Sequence, residues 1–121
     1  MAKGEGLNAD MISRLIDRAI EGMSYAYTPY SGFRVGAALL TESGEIYTGC
    51  NIENAAYTPT NCAERTAFFK AVSEGERHFA AICIVGGKDG KLADYTSPCG
   101  VCRQVMMEFC EPEQFKIILA I

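Results

Sequence analysis

The sequence predicts an α/β fold of three layers, in which helices cover both faces of a mixed sheet of four to five strands. The 121 residues, of which 49% are hydrophobic and 21% charged, have the composition of an ordinary globular domain. This length suits one domain that buries a core without disulfides. The predicted elements alternate between helix and strand after a single hairpin. We therefore expect residues 1 to 121 to form one domain.

The first predicted elements are a helix and a β-hairpin. Apolar residues recur at helical spacing through residues 8 to 25, which predicts a helix capped by Asn8 or Asp10. The segment "FRVGAALLT" predicts a strand that is buried from Val35 to Leu40. The turn "ESGE" leads into "EIYTGCNIE", which we interpret as the second strand of the hairpin.

The second half of the chain alternates between helices and strands. A helical pattern runs from Cys62 to about Ser73, and the β-branched run "AAICIVGG" indicates a buried strand. Residues Gly100 to about Phe109 predict a third helix, and "FKIILAI" predicts a last strand. Because strands separated by helices favour parallel pairing, we expect this sheet to be mixed.

The charge balance and the absence of long apolar stretches argue against several classes of partner. Eleven Lys and Arg residues against 15 Asp and Glu residues give a net charge of −4. A chain of this charge is repelled by nucleic acids and by anionic membranes. The beginning, "MAKGEGLNAD", lacks the apolar core of a secretory signal. We expect a cytoplasmic protein that binds neither nucleic acid nor membrane.

Three of the six cysteines have the spacing of metal ligands. In a reducing compartment, the CxxC pair of Cys99 and Cys102 indicates metal binding or catalysis before a disulfide. These two cysteines and Cys62 lie where predicted helices begin, and a helix N-terminus favours the thiolate that a metal requires. Three thiolates leave one position of a tetrahedral Zn²⁺ open, which is typical of catalytic zinc.

The two residues beside Cys62 suggest how such a zinc would work. Glu64 follows Cys62 by two positions, so its carboxylate could take a proton from a water at the open position. Three thiolates give the metal a net negative charge, which weakens it as a Lewis acid. We expect Arg65, or as a second choice Arg103, to offset this charge by hydrogen bonding to the sulfurs.

The cysteines also have two simpler explanations. A thioredoxin-like redox pair would leave Cys62 and Glu64 unexplained, and the strand that precedes such a pair is absent from the sequence pattern. Free cysteines are also common in hydrophobic cores. We apply that core interpretation to the cysteines without ligand spacing, Cys50, Cys83 and Cys110.

The motif "CAE" followed by "PCGVC" resembles the signature of zinc nucleoside deaminases. The blocks "YSGFRVGAALL", "GCNIENAAY", "CAERTA" and "SPCGVCRQ" resemble, in this order, the small homotetrameric cytidine deaminases with three cysteine ligands. The resemblance covers about residues 10 to 121. It implies the cytidine deaminase-like fold and one Zn²⁺ per subunit. It also implies deamination of cytidine and 2′-deoxycytidine in pyrimidine salvage, by a zinc-bound hydroxide with Glu64 as proton shuttle.

The resemblance also assigns site residues. Cys62, Cys99 and Cys102 would bind zinc, and Glu64 would be catalytic. The implied substrate contacts are Phe33 against the pyrimidine, Asn51 and Glu53 on the ribose, the Ala63 backbone on the base carbonyl, the Ser97 carbonyl at the leaving amine, and Tyr57 near a neighbouring subunit's site.

The residues alone leave some of these assignments open. Asn51 and Glu53 lie two apart at the end of a strand, where they could bind a hydroxyl or could simply form a turn. An aromatic residue in a strand, such as Phe33, usually belongs to the core. The one histidine, His78, lies in a charged loop, and we interpret it as surface.

Three alternative functions compete with cytidine deamination. A blasticidin S-type deaminase shares the three cysteines and the glutamate, but we expect it to lack the "NIEN" pattern. A polynucleotide deaminase is disfavoured by the negative charge. A non-enzymatic zinc-binding interaction module would need a fourth Cys or His at ligand spacing, and the sequence has none there. Family members usually continue past the position of Ile121, so we expect the chain to lack the family's C-terminal strand and tail.

Overall fold

The computed structural model describes residues 8–56, 60–88, 100–110 and 114–120, with backbone alone at 88 and 100–103. Three helices and four strands are found in these ranges. In chain order they are α1 (Ala9–Met23), β1 (Phe33–Thr41), β2 (Ile46–Cys50), α2 (Ala63–Ser73), β3 (Phe79–Lys88), α3 (Gly100–Phe109) and β4 (Lys116–Leu119). This is the predicted order of elements.

The strands form one mixed sheet in the order β2-β1-β3-β4. The central strand β1 is antiparallel to both β2 and β3, whereas β4 is parallel to β3. The predicted mixed sheet is therefore confirmed, with four strands among the described residues. In the same part of the chain, no helix is both long enough and apolar enough to cross a membrane.

Helices cover both faces of the sheet, as predicted. Because successive strand residues point to opposite faces, Ala38 and Leu40 of β1 pack with α1, whereas Ala37 and Leu39 pack with α2 and α3. Every residue from Val35 to Leu40 is buried, as the apolar run predicted. The central strands are thus buried on both faces.

Two element boundaries refine the prediction. Asn8 and not Asp10 caps α1, since the side-chain oxygen of Asn8 accepts a hydrogen bond of 2.9 Å from the Met11 N–H. The prediction that β2 continues through Glu53 is wrong, because β2 ends at Cys50. The Asn51 N–H still donates to the Val35 carbonyl of β1 at 3.3 Å, and beyond it the backbone bonds to Tyr27 and Asn61 instead.

Two glycines let helices approach the sheet closely. A Cβ atom on Gly36 of β1 would overlap the backbone of Ala19 and Met23 in α1. A Cβ atom on Gly49 of β2 would likewise overlap the backbone of α2, at the Ala63 carbonyl and the Ala67 nitrogen. Each helix therefore lies directly on main chain, at a distance that a side chain would prevent.

Candidate active site

The candidate site lies at the end of the sheet where β1 begins. Both β2 and β3 end there, so α2 and α3, which follow them, begin at the same end. The two helices pack against each other. Cys62 directly precedes α2, and Cys102 lies in the first turn of α3. Three predicted site residues, Tyr57, Ser97 and Cys99, lie outside the described residues.

Cys62 is the N-cap residue of α2, so the helix begins one residue later than predicted. Its backbone is extended, and its side chain makes no capping hydrogen bond to the helix. The Thr66 hydroxyl lies 2.9 Å from the Cys50 carbonyl oxygen and accepts a hydrogen bond of 3.0 Å from the Asn61 amide. These contacts fix the beginning of α2 against the end of β2.

Sequence reasoning missed Asn61 and Thr66. Polar residues next to a helix start are expected for capping alone, so no separate signal marked them. Only the fold reveals that they join two different elements.

Arg65 lies beside the thiol of Cys62. Its Nη2 donates hydrogen bonds to the Cys62 sulfur at 3.5 Å and to the Thr60 carbonyl at 3.3 Å. The guanidinium is therefore anchored to the backbone while it contacts the sulfur. This is the contact expected of a residue that withdraws charge from a metal ligand. The effect of Arg65 on zinc stays a prediction.

Glu64 is a buried carboxylate in the first turn of α2. Its side chain is only 3% exposed, and no other charged side chain is buried among the described residues. Removing a carboxylate from water costs free energy that a purely structural position rarely justifies. A buried carboxylate next to a thiol at a helix start is an arrangement suited to proton transfer.

Asn51 and Glu53 both reach back to the beginning of β1. The Asn51 side chain accepts a hydrogen bond of 2.9 Å from the Val35 N–H and donates one of 2.9 Å to the Phe33 carbonyl. One carboxylate oxygen of Glu53 accepts from the N–H groups of Tyr30 and Ser31, at 3.0 and 3.1 Å. The other accepts from the Ser31 hydroxyl. These side chains therefore do hold a turn, whatever else they bind.

Phe33, the first residue of β1, is 37% exposed. The interpretation that an aromatic residue in a strand belongs to the core is therefore wrong for Phe33. Its N–H donates to the Ser31 hydroxyl at 3.0 Å, and Asn51 holds its carbonyl. Hydrogen bonds thus fix the Phe33 backbone at both its N–H and its carbonyl, while the ring is exposed.

Backbone bridges join three segments of the two connections around the site. Ile52 pairs with Tyr27 in parallel and with Asn61 in antiparallel orientation. The N–H and carbonyl of Ile52 exchange two hydrogen bonds of 2.9 Å with Asn61. The segment that carries Asn51 and Glu53 is therefore fixed to the segment that leads into Cys62, within the connection from β2 to α2.

A cavity of about 310 Å³ adjoins these loops, and its size suits a small ligand. It is lined by Tyr30, Glu53, Asn54, Ala55 and Thr60. A larger cavity of about 520 Å³ lies at the other end of β3, and Arg77, His78 and Phe109 are among its lining residues. It contains none of the predicted site residues. His78 is exposed, as predicted.

The cysteines without ligand spacing behave as core residues, as predicted. Cys50 and Cys83 are buried, and Cys110 packs against the core. Burial raises the pKa of the Cys83 thiol to about 11 and that of the Cys110 thiol to about 12. Burial also raises the pKa of Cys50, although nearby Lys70 opposes the shift. All three thiols therefore stay protonated and unreactive near neutral pH.

The family model of the cytidine and deoxycytidylate deaminase zinc-binding region matches residues 10–118. The chain belongs to this family. A cytidine deaminase of Sporosarcina psychrophila is 58% identical over 99 residues, which cover 82% of this chain and 70% of that protein. One from Halalkalibacterium halodurans is 52% identical over 105 residues, which cover 87% and 76%. The crystal structure of cytidine deaminase from Burkholderia pseudomallei matches with a TM-score of 0.73 and 49% identity, over 80% of this chain and 75% of that one.

Zn²⁺ is the cofactor of this deaminase family, and the described surroundings of Cys62 suit it. Thiolates are soft ligands that suit zinc. Cys62 lies at the N-terminus of α2, and its sulfur accepts a hydrogen bond from the Arg65 guanidinium. The helix that carries Cys102, α3, packs against α2. The described side chains alone do not form a set of three ligands. Of the predicted ligands, Cys99 lies outside the described residues, and Cys102 is described by its backbone only.

Proposed function

We propose that this chain deaminates cytidine and 2′-deoxycytidine by hydrolysis, giving uridine or 2′-deoxyuridine and ammonia, and that it serves pyrimidine salvage. One observation carries the proposal within this family. A buried carboxylate, Glu64, lies two residues after a thiol at a helix start, and Arg65 hydrogen bonds to that thiol. The relatives named above are cytidine deaminases.

Cys62, Cys99 and Cys102 would hold one Zn²⁺ per subunit. When bound, Zn²⁺ supplies the Lewis acidity that activates water for attack on C4 of the pyrimidine. Arg65 withdraws charge from the Cys62 sulfur and so preserves that acidity.

Glu64 moves the protons of the reaction. It takes one from the attacking water and passes it to N3 of the ring. It then takes the remaining proton from the new hydroxyl on C4 and gives it to the amine, which departs as ammonia while C4 becomes a carbonyl. Its buried position supports this role, because a carboxylate shielded from bulk water keeps the proton for the substrate.

The substrate would lie between the beginning of β1 and the loop after β2. Phe33 packs against the pyrimidine, Asn51 and Glu53 bind ribose hydroxyls, the Ala63 backbone binds the base carbonyl, and the Ser97 carbonyl faces the leaving amine. The amide donates and the carboxylate accepts, which matches the two needs of a hydroxyl. Cytidine and 2′-deoxycytidine both carry the 3′-hydroxyl, so both are accepted.

We also propose a cytoplasmic homotetramer with sites near the subunit interfaces, where Tyr57 approaches a neighbour's site. The exposed aromatic side chains of Tyr25, Tyr27 and Tyr30 support this, since aromatic residues are enriched at protein interfaces. Light scattering coupled to size-exclusion chromatography measures the assembly. A monomer that deaminates cytidine at full rate would contradict it.

The activity is tested by the loss of ultraviolet absorbance when the purified protein meets cytidine, 2′-deoxycytidine, cytosine or blasticidin S. We expect turnover of both nucleosides, little with cytosine, which lacks the sugar, and none with blasticidin S. Chelation should abolish turnover and Zn²⁺ should restore it. Faster turnover of blasticidin S would favour the antibiotic deaminase, and bound zinc without any turnover would favour the non-enzymatic module.

A further inference from the structure

The hydroxyl of Ser31 lies between two of the proposed substrate contacts. It donates a hydrogen bond to the second carboxylate oxygen of Glu53 and accepts one of 3.0 Å from the Phe33 N–H. Glu53 is proposed to bind the sugar, and Phe33 the base. Ser31 has no role in the reaction as derived above.

The chemistry of a hydroxyl makes this contact directional. A serine hydroxyl has a single proton, and the charged carboxylate of Glu53 is the acceptor that attracts it most strongly. With the proton directed to Glu53, a lone pair of the oxygen is presented to the Phe33 N–H. The orientation of the carboxylate and the position of the Phe33 backbone are therefore linked through one oxygen atom.

The surrounding backbone makes this link stiff. Gly32, between the two residues, has a positive φ of 71°, and its N–H donates to the Thr28 carbonyl at 3.0 Å. Asn51 holds the Phe33 carbonyl on the other side. A shift of Ser31 would therefore be transmitted to the Phe33 ring and to the Glu53 carboxylate together.

We propose that Ser31 is a positioning residue that couples recognition of the sugar to recognition of the base. This rests on the proposed function of the site. The hydroxyl holds the Glu53 carboxylate ready for a ribose hydroxyl and fixes Phe33 before substrate arrives. Its contribution is made equally to the bound substrate and the transition state, so its loss raises KM and leaves kcat nearly unchanged.

The test compares Ser31→Ala with Ser31→Thr, which keeps the hydroxyl, in the zinc-loaded protein. We expect Ser31→Ala to raise KM for cytidine about tenfold, the usual order for a hydrogen bond to a charged group, and Ser31→Thr to restore most of it. In a Glu53→Gln background, Ser31→Ala should raise KM by no more than about twofold, because the hydroxyl then has no carboxylate to orient. Ser73→Ala is the matched control, since that hydroxyl bonds to the Lys70 carbonyl at the C-terminal end of α2, the opposite end from the site.

Two results would overturn the proposal. They are an unchanged KM in Ser31→Ala, with or without a loss of thermal stability, and the same increase in the Glu53→Gln background. The wild-type protein is assayed first, with turnover of cytidine and calorimetric binding of uridine. If it turns over cytidine but Ser31→Ala behaves like it, only the role of Ser31 fails. If it neither turns over cytidine nor binds uridine, the proposed function fails and this inference fails with it.

Discussion

On each face of the sheet a glycine lets a helix pack directly on a strand, but only one of the two contacts positions residues of the candidate site. On one face, Gly36 lies against the C-terminal half of α1, at Ala19 and Met23. On the other, Gly49 lies against the first turns of α2, at Ala63 and Ala67. The buried residues of α1 are apolar or glycine, whereas α2 buries a carboxylate at its beginning. Close packing of a helix on a strand therefore positions chemistry only where it holds a helix N-terminus, with its partial positive charge and open N–H groups.

The largest expected effect tests whether the chemistry belongs to α2. Glu64→Gln should lower kcat for cytidine by about a thousandfold, because the amide cannot carry the proton. It should leave zinc bound and the melting temperature undiminished, since an amide is easier to bury than a carboxylate. Absorbance assays, zinc analysis and thermal melting measure the three quantities. Glu74→Gln, at the exposed end of the same helix, is the control, and equal kcat in both variants would contradict the assignment.

The two glycine contacts can be compared directly through Gly49→Ala and Gly36→Ala. Each new methyl group meets backbone, so each variant should lose about 1–3 kcal/mol of unfolding free energy in urea. Only Gly49→Ala should also weaken zinc binding in a chelator competition, because it displaces the beginning of α2. If both variants lost zinc affinity equally, the difference drawn between the two faces would be wrong.

A smaller effect on kcat is expected when the guanidinium of Arg65, which contacts the proposed zinc ligand Cys62, is removed. Arg65→Gln should keep zinc bound and lower kcat roughly tenfold, as the loss of a residue that supports a metal ligand usually does. Arg18→Gln, on the exposed surface of α1, is the control and should match the wild type. Unchanged kcat in Arg65→Gln would mean that the hydrogen bond to Cys62 does not tune the metal.

The last expected effect leaves activity aside and concerns a thiol on the α1 face. Burial raises the pKa of Cys83 from 9.0 to about 11, so above pH 9 the unfolded chain releases a proton that the folded chain keeps. The free energy of unfolding should therefore fall as the pH rises from 9 towards 11, by at most about 1.4 kcal/mol per pH unit from this group. Urea unfolding of the wild type and Cys83→Ala should show a shallower fall in the variant. Parallel curves would contradict the shift.

Much of the fold could be predicted because local patterns of apolar residues mark the segments that form the core. The continuous apolar run of β1 signalled burial on both faces, and the bounds of α3 matched the predicted helix. The end of β2 could not be found in this way. The pattern of "EIYTGCNIE" continues smoothly, but the backbone partner changes after Cys50, and a partner distant in the chain leaves no local trace.

The candidate site was predictable to a different degree. The spacing of Cys62 and Glu64 predicted that a thiol and a carboxylate lie together at the beginning of one helix, and the structure has them there; their roles stay a prediction. Ser31 and Thr66 were not predictable, since hydroxyl residues in turns and near helix ends are common for local reasons. Their importance depends on which distant groups the fold brings to them.

Asn51 allows one further conclusion. Its backbone N–H makes the last main-chain hydrogen bond to β1, at the Val35 carbonyl. Its side chain accepts from the Val35 N–H and donates to the Phe33 carbonyl, so it acts as one more peptide group of β2 where the main chain turns away. An aspartate has the same shape but would set an acceptor against the Phe33 carbonyl, and a glutamine would be one methylene too long. The sheet is thus extended by a side chain. The main chain that follows Asn51 no longer pairs with β1, and through Ile52 it joins Tyr27 to Asn61.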